Sequence, residues 1–328
     1  MHESCAVIGV YAPEEDVARL TFFALFALQH RGQESSGIAT ADGDGIQIYT
    51  NMGLVTQVFT EDSLSQLTGH IAIGHNRYST SGSSEICNAQ PMVVGKDPDT
   101  IAISHNGNIV NASYLHEELS AQGYTFNSST DTEVIANLIA SSPEKELIDK
   151  IRYAMHRLQG VYCLTLMTKD RLFAVRDPLG VRPLCLGKIN GGWVVASETC
   201  ALDHIGATLV RDVEPGEIIS IGENGLESYR EDPERRASCI FEYIYFARLD
   251  STIDGRLLYQ ARQAMGAGLA EEYPVDADLV VGVPESAIAA AVGYAQKSGI
   301  PLAEGLVKNR YVGRTFIEPD QRIRDLGV

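Results

Sequence analysis

The chain has 328 residues, 45% of them apolar and 21% charged, with a formal net charge of −17. That length provides two domains, or one large one, with substantial cores, and the composition is that of an ordinary soluble globular protein. The acidic balance argues against nucleic acid or an anionic membrane as partner, so any phosphate-bearing ligand needs local donors.

In chain order, Cys5–Tyr11 is an apolar run of strand length. Glu15–His30 carries Val17, Leu20, Ala24 and Leu28 at helical spacing, which predicts a helix with one core face. Ile71–His75 and Ala102–His105 read as strands, the second ending at an Asn106-Gly107 turn signal. Helices are predicted over Asn111–Leu119 and Asp131–Ile139, the latter with Thr130 or Asp131 as N-cap and Glu133 as capping partner. Strands follow at Val161–Met167, Leu172–Val175, Trp193–Ala196 and Glu217–Ile221. The polar stretch Glu223–Arg236 reads as a domain boundary. Beyond it, strand Asp278–Val283, turn Pro284–Ser286, helix Ala287–Lys297 and a new strand at Pro301 make a βαβ unit of a parallel sheet.

The richest apolar run, Leu20–Leu28, is far short of the ~20 residues that cross a bilayer, so no membrane partner is expected. The six cysteines show no CxxC pair, and most lie in apolar stretches, which fits a reducing cytoplasm.

A set of polar residues scattered along the first two thirds has complementary chemistry. Amide hydrolysis needs an activated nucleophile and donors for a developing oxyanion. With a free α-amine, Cys5 would carry its own base, of pKa roughly 7.7–8.0, beside a thiol of roughly 8.5. Asn106 and Gly107 can converge a side-chain and a backbone N–H on one oxygen. Arg77 offers a planar fork for an α-carboxylate and Asp131 an acceptor for an α-ammonium, with Arg31, Gly32 and Thr80 completing the rim. Taken singly, each has a structural explanation: Cys5 a buried thiol, Arg77 an ion-pair residue, Asn106-Gly107 a turn and Asp131 a cap. Their conjunction is the signal. His30, His75 and His105 lack metal-ligand spacing and read as structural.

The segments Leu28-Gln-His-Arg-Gly-Gln-Glu-Ser-Ser-Gly37, Gly74-His-Asn-Arg-Tyr-Ser-Thr80, Ser104-His-Asn-Gly-Asn108, Arg176-Asp-Pro-Leu-Gly-Val-Arg-Pro183 and Cys239-Ile-Phe-Glu-Tyr-Ile-Tyr-Phe-Ala-Arg248 resemble class II glutamine amidotransferases. Within that superfamily they are most similar to the amidophosphoribosyltransferases, and Val307–Ile317 resembles the loop that closes over phosphoribosyl pyrophosphate there. The resemblance implies an α+β chain: an αββα N-terminal-nucleophile hydrolase sandwich over 5–236, then an incomplete α/β type I phosphoribosyltransferase-like domain over 237–328. It implies that Cys5 is the glutaminase nucleophile, that Asn106 and Gly107 stabilise the oxyanion, and that Arg31, Gly32, Arg77, Thr80 and Asp131 bind glutamine. Ammonia would then displace pyrophosphate from C1 of phosphoribosyl pyrophosphate, giving phosphoribosylamine, in a cytoplasmic homo-oligomer. Ser286 matches a position near Mg²⁺, although a helix cap explains it equally well. Cys239 matches one ligand of a [4Fe–4S] cluster, which needs about four thiolates.

The chain departs from the family pattern in four ways. Met1-His-Glu-Ser4 precedes Cys5, so residues 1–4 are expected to be a leader removed at the Ser4–Cys5 bond. The sequence ends before the family's paired-aspartate, Gly-Thr-Thr motif, which implies an incomplete transferase half, cut short at its C-terminal end. The remaining cluster cysteines would lie in the same absent part. Ala6 and Leu249 replace a common glycine and proline. The competing readings are a class II amidotransferase with another ammonia acceptor and a catalytically inactive fragment.

Overall fold

The computed structural model describes residues 5–78, 83–95, 99–230 and 236–309. Two antiparallel sheets form the first unit. One has seven strands in the order β11-β9-β10-β1-β4-β2-β3, and the other six in the order β13-β12-β8-β7-β6-β5. The strands of the first sheet are β1 (Ala6–Tyr11), β2 (Ser35–Ala41), β3 (Ile46–Met52), β4 (Ile71–Arg77), β9 (Cys185–Ile189), β10 (Gly192–Ala196) and β11 (Thr208–Asp212). Those of the second are β5 (Met92–Val94), β6 (Ile101–Ile109), β7 (Gly160–Met167), β8 (Leu172–Arg176), β12 (Glu217–Gly222) and β13 (Gly225–Arg230).

The sheets pack face to face through Val7, Ile71 and Ile73 on one side and Ala102, Leu172, Ala174 and Ile219 on the other. Along β8 the alternation is explicit: Leu172 and Ala174 point into this inter-sheet core, while Phe173 and Val175 join a second core outside it. Both faces are apolar because both are covered. Helix α1 (Val17–Ala27) lies on the outer face of the first sheet, entered through Asp16, whose carboxylate accepts the Arg19 N–H at 3.0 Å. After the short helices α2 (Val55–Val58) and α3 (Glu61–Ser65), the helices α4 (Ala112–Ala121), α5 (Asp131–Ala140) and α6 (Leu147–Arg157) cover the second sheet through Leu115, Ile135, Leu138 and Ile151. The result is the expected αββα sandwich.

Several sequence expectations are corrected here. Asn106-Gly107 does not turn the chain. It lies inside β6, opposite Cys163 and Tyr162 of β7. A Cβ at Gly107 would sit 2.0 Å from the Val161 carbonyl oxygen, so this glycine serves close strand approach. The Asn-Gly pair that does turn is Asn190-Gly191, with φ of 34° and 79°, between β9 and β10. Thr130 is the N-cap of α5 but makes no side-chain cap bond. Glu133 instead accepts the N–H groups of Asn127 and Ser128. The polar stretch from Glu223 contains β13, an edge strand paired only with β12, which needs no apolar second face.

The second compact unit groups Glu198–Cys200, the start of α7 (Thr199–His204), with the chain from Cys239 onward. It contains the hairpin β14 (Thr252–Ile253) and β15 (Arg256–Leu257) and helices α8 (Leu258–Glu272) and α9 (Ile288–Ser298). The two helices cross backbone to backbone. A Cβ at Gly266 would lie 1.9 Å from the Ala290 carbonyl oxygen, and one at Gly293 equally close to that of Gln263. The expected strand Asp278–Val283 contracts to a single parallel bridge, Val280 with Leu302. Parallel strands are held by cover on both faces, whereas Leu279, Val281 and Val283 are exposed.

Gly74 gives the α1 contact a direct test. An added Cβ there would lie 2.6–2.9 Å from Thr21 Cγ2, Ile8 Cγ2 and Leu25 Cδ1, all in a packed layer. Gly74→Ala is expected to lower stability by about 1–3 kcal/mol through overpacking, measured as a reduced urea midpoint at unchanged slope.

Candidate active site

Strand parity assembles the site. Cys5 precedes β1 on the same parity as Val7, which faces the inter-sheet core. On β4, Arg77 shares the parity of Ile71 and Ile73, and on β6, Asn106 shares that of Ala102. The odd residues of β6, His105 and Gly107, alternate to the other face, towards α5. A small cavity is lined by Cys5, Arg77, Tyr78, Gln90, His105, Gly107, Thr130 and Asp131. Cys5, Arg77, Gly107 and Asp131, distant in sequence, therefore share one cavity.

The Cys5 thiol is 8% exposed and donates to the Tyr78 carbonyl at 3.4 Å, while the Tyr78 N–H reaches the sulfur at 3.4 Å. Burial pushes its pKa up to about 11, with Asp131 and Glu34 adding to the rise and the Tyr78 backbone and Arg77 opposing it. Asp131 behaves in the opposite way. Burial alone would raise its pKa, but His105 and the N–H groups of Ile109 and Thr132 together hold it below the usual carboxylate range. Its Oδ2 accepts the Ile109 N–H at 3.0 Å and its Oδ1 lies 3.5 Å from His105 Nδ1. The cavity thus holds a fixed negative charge at neutral pH. His75 Nε2 donates to the His105 carbonyl, 3.0 Å away, and burial lowers its pKa to about 3, so it stays neutral.

Arg77 supplies the positive counterpart. Its Nη1 pairs with the Glu34 carboxylate and donates to the Ser83 carbonyl at 3.1 Å, both side chains being 3% exposed. The backbone reinforces this, since the Glu34 N–H donates to the Arg77 carbonyl at 3.1 Å. In the sequence, Glu34 is one residue of the Leu28–Gly37 motif. Its role was not readable there, because the pairing crosses from the loop before β2 to the end of β4.

Arg31 and Gly32 do not line the cavity. Arg31 is fully buried, and its Nε donates to the Cys5 carbonyl at 3.0 Å. Gly32 lies against the backbone of Arg77, where a Cβ would sit 2.6 Å from the carbonyl carbon and oxygen. Both brace the residues that do line it. Asn106 is not among the lining residues either, yet it is fully buried and neither its Nδ2 nor its Oδ1 has a hydrogen-bond partner among the described residues. A buried carboxamide without a partner is costly, and such groups are usually satisfied by a ligand or water. Thr80 lies outside the described residues, as do Met1–Ser4 and all of Val307–Ile317 beyond Asn309.

The metal expectations fare differently. Ser286 is half-buried in the turn before α9, whose N-cap is Ala287, so neither the metal nor the cap reading gains support. Among the described residues no three His, Cys, Asp or Glu side chains cluster so as to hold a metal ion. The Mg²⁺ expectation at Ser286 and the iron–sulfur expectation at Cys239 remain expectations, and no step below uses either group.

Two outcomes test this electrostatic arrangement. Glu34→Ala strands a buried guanidinium and is expected to destabilise the fold by about 3–5 kcal/mol, read by denaturant titration. With Met1–Ser4 attached, alkylation of Cys5 by iodoacetamide is expected to keep accelerating as pH rises towards about 11, followed by peptide mass spectrometry. A plateau by pH 9 contradicts the burial argument.

Residues 75–204 match the family model for a glutamine amidotransferase domain. The chain is 49% identical over 99% of its length to the amidophosphoribosyltransferase of Mycobacterium tuberculosis and spans 63% of that relative. Identity is 51% to that of a Synechocystis strain, spanning 67%, and 49% to that of Archaeoglobus fulgidus, spanning 72%. The structure superposes on the glutamine phosphoribosylpyrophosphate amidotransferase of B. subtilis, complexed with ADP and GMP, with a TM-score of 0.90 and 45% identity. That match covers 99% of this chain and 70% of the other. With its cavity, its sandwich and these identities, the chain belongs to the amidophosphoribosyltransferase family.

Proposed function

We propose that the chain is the glutamine-hydrolysing part of an amidophosphoribosyltransferase and that the cavity at Cys5 is its glutaminase site. The observation that carries this reading is the presence of a thiol, a buried cation and a buried anion in one cavity. Free glutamine presents a carboxylate, an ammonium and an amide within a few ångströms. Arg77 pairs with the carboxylate and ionised Asp131 with the ammonium, which leaves the side-chain amide directed at the sulfur.

Cleavage of the Ser4–Cys5 bond frees the α-amine that serves as base. The amine takes the thiol proton as sulfur attacks the amide carbon. The tetrahedral oxyanion is met by Asn106 Nδ2 and the Gly107 N–H, each such donor being worth on the order of 3 kcal/mol of barrier. The amine returns the proton to nitrogen, ammonia leaves, and a γ-glutamyl thioester remains on Cys5. Water then releases glutamate. Ammonia attacks C1 of phosphoribosyl pyrophosphate and displaces pyrophosphate, giving 5-phosphoribosylamine, the first step of purine synthesis.

The leader is the point of control in this scheme. With it attached, the thiol has no amine base and a pKa near 11, so under about one molecule in a thousand carries a thiolate at neutral pH. No helix among the described residues is long and apolar enough to cross a membrane.

Enzyme whose mass starts at Cys5 is expected to hydrolyse glutamine, slowly in the absence of a phosphoribosyl acceptor. The unprocessed chain and Cys5→Ala are expected to release ammonia at background rate. Equal ammonia release by Cys5→Ala contradicts the assignment. Asp131→Asn is expected to raise KM for glutamine at least tenfold, because it removes the charge that pairs with the ammonium.

A further inference from the structure

Arg77 ends a strand of the first sheet, and Asp131 begins a helix on the far side of the second. A free α-amino acid carries both its charges on one carbon, so these two groups must be held at a fixed separation. The segment Asn88-Ala89-Gln90 spans them. Asn88 closes the short turn Ile86–Asn88 and is fully buried, and Gln90 is 4% exposed. The chain is pressed onto β2, where a Cβ at Gly37 would lie 2.2 Å from the Gln90 carbonyl oxygen.

The Asn88 carboxamide bonds to both sides. Asn88 Nδ2 donates to the Ser83 carbonyl at 2.7 Å, the carbonyl that also accepts from Arg77 Nη1. The same nitrogen donates to the Ser129 hydroxyl at 3.1 Å, and Asn88 Oδ1 accepts the Ser129 N–H at 2.9 Å. Ser129 lies two residues before Asp131. Gln90 fastens the same segment to the Asp131 side. Its Oε1 accepts the His105 N–H at 2.8 Å, and its Nε2 donates to the Thr132 hydroxyl at 2.8 Å. Thr132 Oγ1 is in turn 3.3 Å from His105 Nδ1, and His105 faces Asp131. One hydrogen-bonded chain thus joins cation to anion, through Ser83, Asn88 and Ser129, while Gln90 anchors the same segment to His105 and Thr132 beside Asp131. A carboxamide places a donor and an acceptor side by side on one rigid group at any pH near neutral.

We infer that the Asn88–Gln90 strap sets the spacing between Arg77 and Asp131 and so determines selectivity for a free α-amino acid. Asn88 and Gln90 are positioning residues that act through those two groups. This inference rests on the glutaminase reading above, and its consequence is specific. Loosening the strap weakens simultaneous capture of carboxylate and ammonium but leaves the sulfur, the amine and the oxyanion donors in place.

The test uses processed enzyme and compares L-glutamine with glutaramate, which has the same amide and carboxylate but no ammonium. Asn88→Asp keeps the acceptor for Ser129 and replaces the donor facing Ser83 with a second acceptor. It is expected to raise KM for glutamine about tenfold, with kcat within threefold. The preference for glutamine over glutaramate in kcat/KM should fall by a similar factor. Thr132→Val, a shape-conserving change where Gln90 anchors the strap beside Asp131, is expected to act in the same direction and carries the test if Asn88→Asp does not fold. A tenfold fall in kcat with the glutamine-to-glutaramate preference unchanged overturns the inference, as does wild-type behaviour of both variants. Absence of glutamine hydrolysis by the wild-type processed enzyme would instead count against the glutaminase reading itself.

Discussion

The site depends on one electrostatic constraint: a guanidinium at 3% exposure must be neutralised before the sandwich can close around it. An unpaired buried cation costs several kcal/mol. Glu34 answers that cost from the loop entering β2, and the backbone bond between Glu34 and Arg77 fixes the two together. The pair leaves the site with a net charge set by what else is buried there. Asp131, held ionised by His105 and backbone N–H groups despite its burial, supplies the second pole. A substrate that carries both charges replaces solvent at both poles at once.

The same low-polarity setting governs the nucleophile. Burial that strengthens Arg77 and Asp131 as binding groups works against the Cys5 thiolate. The two demands conflict unless a base arrives that is not a permanent charge in the cavity. An α-amine generated on Cys5 itself satisfies that condition, since it adds no side chain and sits on the residue that needs it. In the proposed mechanism, leader removal and catalysis are one electrostatic problem.

Much of the fold was legible because helices and strands there follow their periods. The stripe of α1 and the apolar runs of β1, β4, β7, β8 and β12 lie close to where the pattern placed them. β2 escaped because Ser35-Ser-Gly-Ile-Ala-Thr-Ala41 is buried on both faces by small residues and has no alternation to read. Helix α6 was legible and was missed, since Leu147, Ile148, Ile151, Ala154 and Met155 recur at helical spacing on one core face. Asn106-Gly107 was misread as a turn because local chemistry cannot show that a neighbouring carbonyl demands glycine. For the site, residue types announced Cys5, Arg77, Gly107 and Asp131. The supporting residues Glu34, Asn88 and Gln90 have ordinary identities, and only tertiary pairing gives them meaning.

The central claim is that the sulfur of Cys5, at a freed terminus, takes the γ-glutamyl group of glutamine. Rapid acid quench of processed enzyme with L-glutamine, followed by peptide mass spectrometry, measures this directly. The account predicts one γ-glutamyl group in thioester linkage on the peptide that begins at Cys5. Ammonia release with that peptide unmodified at every quench time, or the group on another residue, would contradict it.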